Sequence, residues 1–548
     1  MSTVTNPSAA GEDLFRSSPR ERRWVLIGAG LGTAFEWYDF FLYAFLAVFL
    51  SAVFFPKGNP TAGLLASLAT FGAGFVVRPL GALIFGRLGD LIGPKYTFLA
   101  TITVMGVTTA GVGALPTFAQ IGWTAPVLLV VLRLLQGLSL GGEYSGAVTY
   151  VAEHVPAKER GYRTSWVQTT VNFGQVSGLL VILICRSLMG PEDFVAWGWR
   201  VPFLLSIILL AVSIHIRLRL EESPVFQEMK ATGRRSRAPI REALGSSANL
   251  ELIFAGFIMS AGQGALSYAG AYYPLYFMQA VLRVDPIASN LISMLAIICG
   301  VPVILALGSL SDRIGRKWII LAGCLLAVFT FLPLFKGITY FANPRLYAFQ
   351  AETRIVVASD DCHFHPFVTP NTKLTPCDNV EDYLSRSGLN YATVPMQPDG
   401  PVVVTIGDTK IAGFDRAKLD ATLKAAGYPQ HADPAEINYG IVFLLVFMLT
   451  VIASLVFAPL GAFLVEQFPT RIRLTSVSIA YNIGTGWLGG LAPFIITAMA
   501  VSAGNIYFGF WYPIGVAALT FVLGGFLVRD RWRQSLTDVE SAEGAARA

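Results

Sequence analysis

Charge is scarce in this chain: only 14% of its 548 residues are Asp, Glu, Lys or Arg, against 54% that are hydrophobic. One soluble core of this length needs far less apolar material, which excludes an ordinary globular protein and places most of the chain in a bilayer. Cysteine and histidine are also few, at five each. No HExxH or GxxxxGK[ST] pattern occurs, so the common zinc-protease and nucleotide sites have no foothold, and no cofactor is expected. The first 23 residues lack an apolar core and a small-residue cleavage site, so no removable signal peptide is expected. The net charge of +5 is dispersed over short loops, which argues against a nucleic-acid partner and for a membrane protein whose cytoplasmic loops are basic.

Long apolar runs are what the chain has in abundance. A hydrocarbon layer of about 30 Å takes about 20 helical residues. Runs between polar breaks predict helices near 24 to 55, 61 to 86, 96 to 116, 124 to 153, 164 to 187 and 200 to 220. A second set follows near 250 to 282, 288 to 309, 318 to 341, 438 to 465, 472 to 502 and 506 to 529. Basic residues gather in the N-terminal tail, at 217 to 241 and at 529 to 533, so both tails (1–23 and 531–548) and the central loop 221–249 are expected in the cytoplasm. The six-helix halves are 24–220, and 250–341 with 438–530.

Internal repetition supports two related halves. Gly86-Arg-Leu-Gly-Asp90-Leu-Ile-Gly93-Pro-Lys95 recurs 222 residues later as Gly308-Ser-Leu-Ser-Asp312-Arg-Ile-Gly315-Arg-Lys317. Glu153-His-Val-Pro156, with Arg160 and Arg163, recurs 313 residues later as Glu466-Gln-Phe-Pro469, with Arg471 and Arg473. The 91-residue difference marks an insertion, which composition places at 342–437. Strand-like runs at 354–357 and 402–406 and a helical pattern at 415–426 make it a small α+β module. Helix counting puts it outside the cell, where Cys362 and Cys377 can form a disulfide. Asp360, Asp361, His363 and His365 lie nearby, and a disulfide with exposed histidines is favoured there over a metal site.

Seven motifs appear in one order: Phe35-Glu36-Trp37-Tyr38-Asp39-Phe40-Phe41; Arg78-Pro79-Leu80-Gly81; the two Asp-containing loops; Arg133-Leu-Leu-Gln136-Gly137 with Gly141-Gly142-Glu143; Gly198-Trp199-Arg200-Val-Pro202-Phe203; Glu222-Ser223-Pro224-Val-Phe226; and Phe468-Pro469-Thr470-Arg471 through Tyr481-Asn482. Together they resemble the metabolite:proton symporters of the major facilitator superfamily, over nearly all the chain outside 342–437. The resemblance implies an all-α membrane protein with twelve transmembrane helices in two six-helix halves, here carrying the α+β insertion on the periplasmic side. It implies a multi-pass inner-membrane importer working with protons on a small metabolite: an organic acid first, a zwitterionic osmolyte second. A monomer is expected. Leu91 and Pro94 depart from the pattern, standing where the first loop usually has basic residues.

Buried ionisable groups are the functional candidates, because each costs about 2.5 to 3.5 kcal/mol on insertion scales. At 1.5 Å per residue Glu36 and Asp39 lie about 18 and 22 Å from the start of their helix, and Arg78 about 12 Å from the end of its own, so a Glu36–Arg78 contact is expected. Arg keeps its charge when buried, whereas a carboxylate in apolar surroundings accepts a proton more readily. Asp39, Glu36 and Glu143, in that order, are therefore the expected proton carriers. Arg78 and Arg133 are the expected anchors for an anionic group. Tyr38, Tyr43, Gln168, Asn172, Gln263, Tyr272, Tyr273, Tyr481 and Asn482 are candidate cavity residues, although each alone is more often interhelical packing. Asp90, Lys95, Asp312, Arg313, Arg316 and Lys317 are read as gating latches, since short loops cannot reach the midplane and a carboxylate there can meet a helix N-terminus. An exporter is disfavoured because Phe173-Gly174-Gln175-Val-Ser-Gly178 lacks proline, and a sensor because no signalling domain follows Arg529.

Overall fold

The computed structural model describes residues 19–55, 60–218, 227, 230–231, 236, 238–363, 365, 374–395, 401–532, 534 and 536. Most of the N-terminal tail, the motif at 222–226, the basic residues Arg219, Arg234, Arg235, Arg237 and Arg533, and the end of the C-terminal tail lie outside them.

Eleven of the described helices are long and apolar enough to cross a bilayer. The first half begins with α1 (Pro19–Phe54), which packs along the helix Arg160–Asp193. It continues with α2 (Pro60–Val76 and Arg78–Ile92, interrupted at Val77), α3 (Pro94–Ala114), α4 (Thr124–Glu153), α5 (Arg160–Asp193) and α6 (Phe194–Leu218). The second half has α7 (Ser247–Val281), α8 (Pro286–Ile314) and α9 (Arg316–Ala342). After the insertion come α13 (Tyr439–Gln467), α14 (Thr470–Ser502) and α15 (Phe508–Leu527). Pro94 and Pro286 sit in the first turns of α3 and α8, where a missing N–H costs nothing. Gly93 (φ 103°) and Gly315 (φ 100°) make the sharp turns at the ends of α2 and α8, a conformation glycine adopts without a Cβ penalty.

Small residues bring α2 and α4 together. A Cβ on Gly137 would collide with the backbone of Gly74, and one on Gly141 with the carbonyl of Arg78 and the amide of Ala82. In lipid, where apolar burial does not drive helices together, such close approach supplies the packing. It also holds Arg78 on α2 against the Gly141–Glu143 stretch of α4.

The insertion contains α10 (Pro344–Glu352), β1 (Ile355–Ala358), α11 (Pro376–Arg386), β2 (Ala392–Val394), β3 (Val403–Ile406), β4 (Thr409–Ala412) and α12 (Arg416–Ala425). Its sheet order is β2-β1-β3-β4, with β1 parallel to β2 and antiparallel to β3. Val357, Val404, Val380, Leu384 and Leu419 fill its core. Cys362 and Cys377 are bonded, Cα to Cα 5.1 Å. Burial acts to raise the pKa of Asp378, but the amides of His363 and Thr375, the Thr375 hydroxyl and His365 hold it below the usual carboxylate range. The module docks on the second half: Tyr391 donates from its amide to the Gly504 carbonyl (2.9 Å), Asn390 accepts from the Ile506 amide (2.9 Å), and Arg283 donates to the Arg386 carbonyl (2.7 Å).

Candidate functional site

Between the halves lies a narrow cavity of about 30 Å³, taken over the positions a water centre can occupy. That is room for a few waters, so the chamber is contracted. Trp37 of α1 and Val171 and Asn172 of α5 line one wall. Gln263, Tyr268 and Tyr272 of α7, Thr450 and Phe457 of α13, and Tyr481 and Thr485 of α14 line the other. Two wide π-type turns, Tyr268–Tyr272 and Asn482–Gly489, carry the second wall. Such turns free backbone groups and re-aim side chains, and they recur at functional sites. Thr485 donates to Gln263 (2.7 Å), and the Tyr481 ring stacks on Tyr144 at 4.1 Å. Thus Asn172, Gln263, Tyr272 and Tyr481, four of the residues singled out in the sequence, meet in one place.

Others are placed differently. Tyr38 donates to the Pro202 carbonyl (2.9 Å) and Tyr43 to the Ser67 carbonyl (3.2 Å), so both hydroxyls hold helices together away from the cavity. Tyr273 packs edge-on against Phe510. Gln168 bonds Tyr144 and the Phe457 carbonyl, one layer behind the lining.

The charges divide into three groups. Arg78 donates from Nε to Asn482 Oδ1 (3.0 Å) across the two halves, and Asn482 in turn donates to the Gly141 carbonyl (2.7 Å). Its Nη1 and Nη2 have no hydrogen bond of good geometry and lie beside Tyr268 and Tyr481, both of the cavity wall. Arg133 faces away from this chamber, boxed by the rings of Phe40, Tyr43 and Phe71 at 4.7, 4.4 and 5.3 Å and bonded to Gln136 (2.8 Å). Glu143 accepts from Thr101 (2.6 Å) and pairs with Arg217.

Two corrections follow. The expected Glu36–Arg78 contact is not made: Arg78 is drawn across to Asn482, and neither Glu36 oxygen has a hydrogen-bond partner. Arg217, counted in the sequence among cytoplasmic basic residues, is buried at the end of α6 with its guanidinium over Phe98. Asp39 is held by Ser206 of α6, whose hydroxyl donates at 2.5 Å.

At the end of the bundle opposite the insertion, the repeated loops each grip the other half. Asp90 accepts from the amides of Leu474 (3.2 Å) and Thr475 (3.0 Å) and from the Thr475 hydroxyl (2.5 Å), near the start of α14. Asp312 accepts from the amides of Gly161 (2.8 Å) and Tyr162 (2.9 Å), at the start of α5. Ion pairs Arg473–Glu153 (2.8 Å), Arg160–Glu466 (2.9 Å) and Arg316–Glu466 (3.1 Å) lie alongside, and Arg316 also pairs with Asp312 (2.9 Å). Lys317 caps the end of α15 through the carbonyls of Gly525 and Val528. Lys95 reaches the Leu218 carbonyl (3.2 Å), and Arg313 is exposed, so neither residue joins the two halves through these contacts.

The sequence profile of the Major Facilitator Superfamily matches residues 30–343. The proline/betaine transporter of Salmonella typhimurium is 42% identical over 206 residues, covering 38% of this chain and 41% of that protein. The alpha-ketoglutarate permease of Escherichia coli is 34% identical over 348 residues, 63% of this chain and 77% of that one. The match to the first thus spans less than half of its length. Among solved structures, the proton:xylose symporter XylE bound to a bromodeoxyglucose superposes with a TM-score of 0.64 at 16% identity, covering 96% of this chain and all of that one. At that identity the likeness is one of fold.

Proposed function

The chain belongs to the Major Facilitator Superfamily, and on that premise we propose that it imports a small metabolite bearing one carboxylate together with protons. The observation that carries the reading is Arg78: a buried guanidinium beside the cavity wall with two nitrogens lacking good hydrogen bonds, reached from both halves. A carboxylate from the chamber meets that need in a bidentate pair, worth more than a neutral hydrogen bond in so dry a site. A dicarboxylate asks for a second fixed cation, and Arg133 is sealed behind Phe40, Tyr43 and Phe71. Trp37, Tyr268, Tyr272 and Tyr481 instead offer aromatic faces, which attract ammonium groups. A betaine-like zwitterion fits this pairing best, ahead of the organic acid favoured by the sequence.

Asp39 and Glu36 serve as the proton carriers. Glu143, committed to Arg217, serves the structure of α4 and α6. The Asp90 and Asp312 latches hold one end of the chamber shut, and their release, on the cytoplasmic side, opens it. The test is uptake of labelled glycine betaine, shikimate and α-ketoglutarate into cells, with and without a protonophore, by wild type and Arg78→Gln. Protonophore-sensitive uptake of glycine betaine, lost in Arg78→Gln at unchanged membrane expression, is expected. Uptake that survives in Arg78→Gln removes the carboxylate anchor, and preferred uptake of α-ketoglutarate removes the one-carboxylate reading.

A further inference from the structure

The inserted module holds a second group of reactive atoms, which transport does not use. Cys377 is the second residue of α11, a helix of 11 residues, and its disulfide partner Cys362 lies in the loop that leaves β1. Glu381 follows Cys377 by one helical turn on the same face, and its carboxylate lies within 4.8 Å of both sulfurs. Thr393 of β2, the strand parallel to β1, donates to Glu381 Oε1 (2.6 Å) and fixes it there. We propose that Cys362, Cys377 and Glu381 form a thiol–disulfide exchange site, which oxidises a dithiol substrate by taking its two electrons into the Cys362–Cys377 bond.

The two cysteines differ in the way exchange requires. Cys377 is 1% exposed, whereas Cys362 is half-buried between the exposed Asp361 and His363, so an incoming thiolate meets Cys362 first. Attack there bonds the substrate sulfur to Cys362 Sγ and breaks the Cys362–Cys377 bond, whose electron pair leaves on Cys377. That thiolate forms in the first turn of α11, where the positive end of the helix dipole favours it. Asp378 beside it is already engaged by the amides of His363 (2.7 Å) and Thr375 (2.8 Å) and by His365 (3.1 Å). Burial, opposed by the Thr393 hydroxyl and aided by the Asp378 charge, raises the Glu381 pKa, so Glu381 keeps its proton to higher pH than an exposed glutamate and hands it to Cys377. The other titratable group facing Glu381 among the described residues is Tyr391, ahead of β2, with His365 behind Asp378. Glu381, now ionised, takes the proton of the second substrate thiol. That thiolate attacks the substrate sulfur of the mixed disulfide and releases Cys362, which is protonated from water. The substrate dithiol has become a disulfide and the module's disulfide two thiols, and a small disulfide such as oxidised glutathione resets the site by the reverse exchange.

The inference concerns the module alone and holds whatever the chamber carries. Its test mixes the full-length protein in detergent with dithiothreitol or with a synthetic peptide bearing two cysteines, and follows the Cys362–Cys377 bond by alkylation and peptide mass. One equivalent of dithiol should be oxidised per protein, and many in the presence of oxidised glutathione, faster than oxidised glutathione achieves alone. The quicker of the two dithiols tells a polypeptide partner from a small one. Cys362→Ala should abolish turnover. Glu381→Gln, which keeps the disulfide and the Thr393 bond, should slow the exchange about a hundred-fold, the weight of one general acid. Its pH profile should also change: the wild-type rate levels off above the Glu381 pKa, while the variant's rate rises with the substrate thiolate throughout. A Cys362–Cys377 bond that yields to either dithiol only after the protein unfolds, or turnover no faster than with oxidised glutathione alone, overturns the proposal. A Glu381→Gln profile of wild-type rate and shape overturns it as well.

Discussion

Replacing Asp90 by Ala should shift the chamber toward the state open at the latch end. Asp90 accepts three hydrogen bonds from Leu474 and Thr475, all from the opposite half and all near the start of a helix. Hydrogen bonds to a charged group contribute about 1.5 to 3 kcal/mol each, but the freed N–H groups find water once the end opens. A net loss of about 2 to 4 kcal/mol is then reasonable, equivalent to roughly a thirty- to several-hundred-fold shift in the closed-to-open ratio. Spin labels at Ile92 and Ile314, both exposed near the latch end and on different halves, read the change as a longer inter-label distance. Asp312→Ala should act in the same direction, although Arg316 then retains Glu466. Unchanged distance distributions in both variants would refute the view that these carboxylates hold the two halves together.

Glu143→Gln strips the buried Arg217 of its partner and should lower stability by about 3 to 5 kcal/mol, whereas the double change Glu143→Leu with Arg217→Met should recover most of it. Thermal unfolding in detergent reads both, and a silent single variant contradicts the pairing. In the insertion, Asp378 has a depressed pKa when folded, so its stabilising contribution is complete above about pH 4, the unfolded value, and fades as pH falls through the folded one. Hydrogen exchange in the full-length protein should therefore show Asp378→Asn loosening α11 at pH 7, with the difference from wild type shrinking below about pH 4. A difference that grows on acidification has the wrong sign. Tyr391→Ala should raise exchange in β2 and around Gly504 while leaving α2 and α4 unchanged, because Tyr391 bonds only to the second half among its described partners outside the insertion.

The two Asp-bearing loops were legible as a pair because they repeat, one copy at the same place in each half, and their contacts across the halves needed the structure. The same logic reached Glu153, Arg160, Glu466 and Arg473 as repeated residues, though their pairing across the halves needed the structure. Strands β1 and β3 and helix α12 announced themselves through alternation and helical periodicity. Strand β2, of three residues, is too short to do so, and β4, as long as β1 and β3, buries only Ile411 and so lacks their apolar run. Arg217 was missed because the basic loop beside it made a topological explanation sufficient. The available signal was helical phase: it lies about three turns beyond Ser206, on the face that touches α1 and α4. Depth alone suggested Glu36 and Arg78 as partners, but depth says nothing of rotation, and Asn482, distant in sequence, claims Arg78 instead. The π-type turns that build the cavity wall leave no periodic trace beyond the glycines within them.

The most direct measurement is proton movement itself, followed with a pH dye sealed inside liposomes carrying the purified protein, when glycine betaine is added outside without any imposed gradient. Substrate entry should acidify the lumen in the wild type and leave it unchanged in Glu36→Gln with Asp39→Asn. Substrate entry without acidification in the wild type, or undiminished acidification in the double variant, would contradict proton-coupled import through these carboxylates.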